Sequence, residues 1–458
     1  MTELSPDFLT AAQNLLGPRG WSMAAEELAK VSSPWRGTYK GETPFLAKPA
    51  TTEETAALVR LCNEYGVAIT PQGGNTGLVD AGTPHGEICV SMQRMNAIRA
   101  LDAFNNSLVI EAGAPLVVAQ QAADDAQRLF PLSLGSEGTA TIGGLISTNA
   151  GGVAVLRYGM MRDLILGLEV VLPNGDIWNG LSGLRKNNTG YDLKHLFAAT
   201  LKLFPKVQRA SAWVTCTTAS DVVKLLAMVR DHAGDTVTSF EIIPANAVAM
   251  VQADVPDTRD PLPSDLPWRV LIEVSMSRAE HARDVLEGAL ASAYESELVQ
   301  DAVIAESVAQ AESFWHIRET IPLSKRAYGT ALNQDISVPV SRIPEFIDAC
   351  NAAVLEKVPS AEFVIFGHVG DGNLHYSVCE PASAERPVLR GQDEAIFRII
   401  YDQVMSFDGS ISAEHGVGRL KRDELERIRP KAATEMMRAI KHALDPNKIM
   451  NPGRVINS

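Results

Sequence analysis

The stretch from Leu134 to Gly152, LGSEGTATIGGLISTNAGG, limits what this chain can become more than any other part of it. It carries few charges and many small residues. A second run of the same character, PQGGNTGL from Pro71 to Leu78, follows the short strand-like segment VAIT. Successive backbone N–H groups without side-chain obstruction can wrap an anion, commonly a phosphate. Neither run is a Gly-x-Gly-x-x-Gly fingerprint opening a helix, and no Walker pattern occurs. Tight structural turns account for either run taken alone. Two of them in one half of the chain favour a long ligand such as a dinucleotide.

Bulk properties exclude several classes. At 458 residues the chain is too long for one ordinary core and implies two or three domains. A net charge of −14 leaves no basic face for nucleic acid. No apolar run reaches the length of a membrane span. The N-terminus MTELSPDFLTAAQNLLG has no basic n-region and carries acids early, unlike a secretory signal. The five cysteines are scattered and lack CxxC spacing, as expected of buried free thiols in a reducing cytoplasm. The sequons at Asn105 and Asn187 then carry no glycosylation meaning.

The element pattern changes along the chain. In TTEETAALVRLCNEYGVAIT a capping box, Thr51 with Glu54, opens a helix that Gly66 stops. LGLEVVLPNGDIWNG reads as a hairpin on Asn174-Gly175, both residues taking positive φ. Beyond about residue 210, helices and strands alternate with hairpins mixed in, the pattern of an α+β domain on a largely antiparallel sheet. The last segment is helical as far as Asp445-Pro446.

FGHVGDGNLHYSV and SAEHGVGRLK concentrate the remaining chemistry. A two-residue turn on Asp371-Gly372 sets His368 directly across from His375, with Cβ atoms ~5 Å apart. With Glu414 they make a two-histidine, one-carboxylate site with an open position, which is catalytic rather than structural in style. His415, beside Glu414, is left to act as a base. Histidines merely stacked in a sheet are the plainer alternative, and a metal site of this kind fits a hydrolase as well as a redox enzyme.

PQGGNTGL, GSEGTATIGGLISTNAGG, LRYGMMRDLILGLEVVLPNGDIW, LRKNNTGYDLKHLF, HVGDGNLH, SAEHGVG and DPNKIMNPGR occur in this order. Together they resemble the FAD-linked D-2-hydroxy-acid dehydrogenases of the vanillyl-alcohol-oxidase (PCMH-type) flavoproteins, most closely the D-2-hydroxyglutarate and D-lactate dehydrogenase branch. The resemblance runs from about Pro44 to the C-terminus. It implies a two-domain α+β fold. Residues 1–209 form the PCMH-type FAD domain, with a helical lead-in over 1–43. Residues 210–408 form an α+β cap, and 409–458 return to the flavin.

By the same resemblance, Gly73, Gly74, Asn75, Thr76 and Gly77 hold the FAD pyrophosphate. Gly135, Ser136, Thr139, Gly143, Gly144, Thr148, Asn149 and Gly152 add to the clamp, and Asn451 lies near the flavin ring. The first loop has no histidine, so FAD is expected to be noncovalent. His368, His375 and Glu414 match the ligands of a divalent metal, zinc by preference, and His415 matches the catalytic base. Arg318, in FWHIRETIP, matches the arginine that grips the substrate carboxylate, with Asn333, Asn373 and Ser377 also on the substrate. His316 is read as a packing residue. The implied reaction oxidises a small D-2-hydroxy acid to its 2-oxo acid by hydride transfer to flavin N5. A protein or quinone then accepts the electrons, and a homodimer is compatible with the sequence.

Three positions depart from the family pattern. A lysine is common two residues before the aspartate of DISVP, where this chain has Asn333. An asparagine is common two after the second hairpin histidine, where it has Ser377. Losing the lysine removes a cation that holds a second carboxylate and weighs against 2-hydroxyglutarate. A glycine-rich segment also normally intervenes where Phe197 here meets Ala198; either part of the flavin clamp is lost or residues are missing there, and the intact flanks favour the second. Two other readings stay open: a metal hydrolase without flavin, and a catalytically silent flavin-binding relay.

Overall fold

A computed structural model describes residues 4–34, 37, 39–184, 200–325, 331–380 and 388–457. The Phe197–Ala198 junction lies outside them. The fold is α+β and divides into two compact units. Met1–Ala150, Met160–Lys206 and His415–Ser458 make the first; Gly151–Gly159 and Val207–Glu414 make the second.

In the first unit, helix Thr52–Tyr65 begins where the Thr51 side chain accepts the Glu54 N–H, and ends on left-handed Gly66. It leads into strand Ile69–Gln72, parallel to Ile88–Ser91 in a four-stranded sheet. A five-stranded sheet carries the hairpin Ile165–Val171 with Ile177–Gly180. Its turn is longer than a two-residue loop. Gly175 N–H bonds Leu172 O, and Gly175 has φ 81° while Asn174 stays out of the positive region. The C-terminal segment is stitched to the first sheet: Ile69 N–H donates to Ile449 O, and Asn451 N–H donates to Ile69 O. Phe8, Phe45, Leu58, Ile69, Ile88 and Ile449 share its core.

The second unit is built on seven strands: β1 (Gln208–Cys216), β2 (Val237–Pro244), β3 (Trp268–Met276), β4 (Asp301–Ile304), β5 (Ala331–Ser337), β6 (Glu362–His368) and β7 (Asn373–Cys379). They lie in the order β4-β1-β3-β2-β6-β7-β5, each pair antiparallel. Helix α1 (Val308–Ser324) begins where the Ser307 side chain accepts the Gln310 N–H. It packs Phe314, Ile317 and Ile321 against Ile243, Val364 and Phe366 of the sheet. Its own face therefore sets Arg318 toward the same side. Residues 409–414 stay with this unit because Ser410 and Ser337 exchange backbone hydrogen bonds. Residues 151–159 join it through Ser239 Oγ, which donates to Val153 O at 2.6 Å.

All five cysteines are buried and unpaired. Burial pushes the thiols of Cys62, Cys89, Cys216 and Cys350 up to about 12. Among the described residues no helix is long and apolar enough to cross a membrane.

Candidate active site

One sheet face of the second unit carries the chemistry. Alternate residues of a strand share a face, so the register decides who meets whom. β6 and β7 pair Phe366 with His375 rather than His368 with His375. The connection is a four-residue loop: a 3-10 turn over Val369–Asp371 closes on left-handed Gly372. The extra turn moves the register by two residues. His368 and His375 therefore meet as diagonal neighbours on one face, ring centroids 5.5 Å apart and nearly perpendicular.

On its other side His375 pairs with Asp335 of β5. Asp335, His375 and Glu414 offer ligand atoms within 4.8 Å of one another. His375 Nε2 stands 3.7 Å from Glu414 Oε1. Bonds of ~2.0–2.2 Å around a tetrahedral ion separate its ligands by roughly 3.4 Å, so this pair fits one divalent cation. Nitrogen and carboxylate donors suit zinc among other ions. Asp335 is the member that the sequence did not disclose. The Asn373 amide, expected on the substrate, donates to Asp335 Oδ1 and to Ile336 O and so holds the aspartate. The Glu414 backbone N–H donates to Asp335 Oδ2.

His368 stands outside this tight group. Its Nδ1 lies 2.6 Å from Oε1 of buried Glu241, the residue paired with it across β2 and β6. Glu241 Oε2 accepts from Arg318 Nε at 2.7 Å. Burial raises the Glu241 carboxyl, but His368 and Arg318 outweigh it and hold the group down at about 2. Burial lowers His368, and Glu241 outweighs that, lifting the imidazole to about 9. A carboxylate on Nδ1 fixes the tautomer that leaves Nε2 for a metal. Arg318 uses Nε for Glu241 and lays its guanidinium over Phe366, 4.7 Å from the ring centre. Its two terminal nitrogens make no hydrogen bond among the described residues. His316 is exposed and so is not a core packing residue.

Asn333 and Ser377 pair across β5 and β7, with Ser377 Oγ donating to Asn333 Oδ1 at 2.9 Å. Between them comes a residue that the sequence reading passed over. Lys325, just past the end of α1, donates from Nζ to Asn333 Oδ1 at 2.6 Å and to Ser377 Oγ at 2.7 Å.

In the first unit the two glycine runs meet. A Cβ on Gly73 would lie 2.1 Å from Thr141 Oγ1, and one on Gly74 only 1.8 Å from Thr139 O. Gly77 and Gly135 face open space. Asn75 takes φ 54° and ties its amide to Ser33 O. Thr76 and Ser136 lie in these same loops, the Ser136 carbonyl closing the turn onto Thr139 and Ala140. Thr141 Oγ1 and Asn451 Oδ1 are buried without a partner, as expected of a cradle made to hold a polar cofactor. Other expected contacts have local uses. Gly143 makes room for Ala112, Thr148 bonds the Gly144 carbonyl, and Asn149 Oδ1 accepts the Arg162 N–H. Gly152 falls in the second unit, its N–H directed to Glu414 Oε2 at 3.4 Å.

Comparison with known proteins agrees with both halves. An FAD binding domain matches residues 43–180, and the C-terminal domain of FAD linked oxidases matches residues 205–455, more than half of the chain. The D-2-hydroxyglutarate dehydrogenase of Stutzerimonas stutzeri is 34% identical over 465 residues, covering 98% of this chain and 99% of that one. The mitochondrial D-2-hydroxyglutarate dehydrogenase of Bos taurus is 35% identical over 445 residues, covering 94% and 80%. In fold the chain is similar to p-cresol methylhydroxylase, with TM-score 0.77 at 16% identity, covering 99% of this chain and 98% of that one. A cradle for FAD and a nearly full-length match to such relatives lead to one assignment: the chain belongs to the FAD-linked D-2-hydroxy-acid dehydrogenases with the PCMH-type fold.

Proposed function

We propose that the protein oxidises a D-2-hydroxy acid with the help of a divalent cation, zinc by preference, held by His368, His375 and Glu414. The observation that carries this reading is the placement of His375, Asp335 and Glu414 on the sheet face where buried Arg318 uses Nε for Glu241 and makes no hydrogen bond from its terminal nitrogens among the described residues. When bound, FAD accepts the hydride from the substrate Cα, and the cation lowers the pKa of the substrate hydroxyl.

The protein's own groups do the rest. Arg318 donates to the 1-carboxylate through its terminal nitrogens, a task suited to a planar fork. Glu241 keeps both Arg318 and the His368 ring in place. Asp335 and its partner Asn373 orient the Glu414 segment and the His375 strand. His415, next in the chain to Glu414, takes the hydroxyl proton. The acid loses two electrons and two protons and leaves as the 2-oxo acid. The electrons then pass to a protein or quinone that the chain itself does not supply.

Chelation tests the metal requirement. Protein dialysed against a strong chelator, with metal content measured, should keep its visible flavin spectrum but fail to be reduced anaerobically by a D-2-hydroxy acid. Reduction should return with zinc. Undiminished reduction of metal-free protein contradicts the reading.

A further inference from the structure

A helix on a protein surface ordinarily buries its apolar stripe and turns its polar side chains to water. Helix α2 (Lys431–Leu444) does the opposite. Its polar residues are held against the protein. Thr434 is buried, Arg438 binds Glu426 at 2.8 Å and donates to Asn457 O, and Lys441 binds Asp445 at 2.6 Å. Its apolar residues face outward. Met436, Ile440 and Leu444, each four residues from the next, form one stripe and are 65%, 51% and 40% exposed. Exposed Ala432, Ala439 and Ala443 lie along it, so no charge interrupts this face.

Charge says what covers the stripe. The segment His415–Ser458 holds ten Lys and Arg against five Asp and Glu, in a chain whose net charge is −14. Exposed Arg429 and Lys431 stand at the N-terminal end of α2, and exposed Lys448 just beyond its C-terminal end. Glu435 is the one acid on the helix, 3.6 Å from Lys431. A second copy of the chain fits this pattern poorly. Antiparallel pairing would bring Lys431 to the Lys448 end, and parallel pairing would set Lys431 against Lys431. An unbroken convex stripe with cations at both ends suits a surface that is negative and deforms around it. Anionic lipid is such a surface: apolar side chains enter the acyl boundary, and nearby Lys and Arg gain from the headgroup potential.

We propose that α2 docks the protein on an anionic lipid surface. Met436, Ile440 and Leu444 enter the boundary, and Arg429, Lys431 and Lys448 meet the headgroups. The helix lies flat along the boundary and spans nothing. An acidic chain is repelled by the same surface everywhere else, which favours the orientation that turns α2 toward the lipid. The proposal is independent of which acid is oxidised.

Co-flotation of the FAD-loaded protein with vesicles tests it. Vesicles of equal parts phosphatidylglycerol and phosphatidylcholine should carry the protein at low salt, and pure phosphatidylcholine much less of it. High salt should release it. The pair Met436→Ser, Ile440→Ser removes the stripe, and the pair Arg429→Gln, Lys431→Gln removes two cations. Each pair should weaken binding ~10–30-fold. All four side chains are exposed, so both variants should keep the flavin content and melting temperature of the wild type. A wild type that ignores anionic vesicles, or variants that bind them as well as it does, overturn the proposal. Light scattering and titration with soluble polyglutamate distinguish the other occupants. A wild-type dimer that the serine pair converts to monomer assigns the stripe to a second copy. Binding to polyglutamate as tight as to vesicles, and indifferent to the serine pair, assigns the cations to an acidic protein. Either result overturns the lipid assignment.

Discussion

Asp335 shows how much one side chain in this site does. Its two oxygens accept from the Asn373 amide and from the Glu414 backbone, while its own strand pairs it with His375. It fixes His375 and Glu414, two of the groups proposed to hold the cation. Asp335→Asn keeps the shape, removes the charge and turns one acceptor into a donor facing a donor. Outer partners of this kind typically control 10–100-fold in metal affinity. A competition titration with a zinc indicator should therefore show ~10–100-fold weaker binding in Asp335→Asn; unaltered affinity assigns Asp335 a purely structural part. The histidines, Glu414 and Arg318 were legible because each sits in a short, distinctive string. Asp335, Glu241 and Lys325 were not, because their partners are fixed by strand pairing and helix packing. Glu241 lies 127 residues from His368, and Lys325 lies 52 from Ser377.

At the scale of elements, local signals told the truth where local physics decides. The Thr51 cap and the Gly66 stop are read directly from the chain. The hairpin carrying the histidines was misjudged by one turn, since Asp-Gly suits a two-residue loop but also closes a 3-10 turn. The glycine loops make a sharper test. At Gly74 a methyl would meet the Thr139 carbonyl, and backbone cannot step aside. Gly74→Ala should yield folded protein with little FAD, read as the ratio of flavin to protein absorbance. Full flavin content in that variant contradicts the cradle.

The C-terminal segment is a second element with a measurable role. Buried Arg454 bonds Glu87, Thr70 and Thr83 and so fastens the tail to the first sheet. Burial raises Glu87, but the hydrogen bonds from Arg454 and His85 outweigh it and hold the carboxyl below its ordinary value. A depressed folded value means that the contribution is complete above the unfolded pKa of ~4.3 and is lost as pH falls through that region. Arg454→Ala should cost roughly 3–5 kcal/mol near neutrality, because it strands a buried carboxylate. It should also flatten the acid limb of the stability curve in urea unfolding. A limb as steep as that of the wild type removes Glu87 from the account.

At the scale of the molecule, the chain divides its work between two units that are not contiguous in sequence. The first is entered three times and offers a glycine cradle with orphaned polar atoms. The second collects the histidines, carboxylates and cations on one sheet face. The sequence borders at 209 and 408 fall near the structural ones at 206 and 414. The difference at the second border comes from the Ser337–Ser410 bridge, a pairing with no local signature. A metal hydrolase would need only the second unit's groups, and a silent relay only the first's. Oxidation of a D-2-hydroxy acid needs a flavin as well as the polar groups of the second unit. Anaerobic mixing of the loaded protein with D- and L-enantiomers of a 2-hydroxy acid tests this directly. The flavin absorbance should bleach with the D-acid alone, with one 2-oxo acid formed per flavin; a flavin that stays oxidised with both enantiomers, or a protein that takes up no flavin at all, contradicts it.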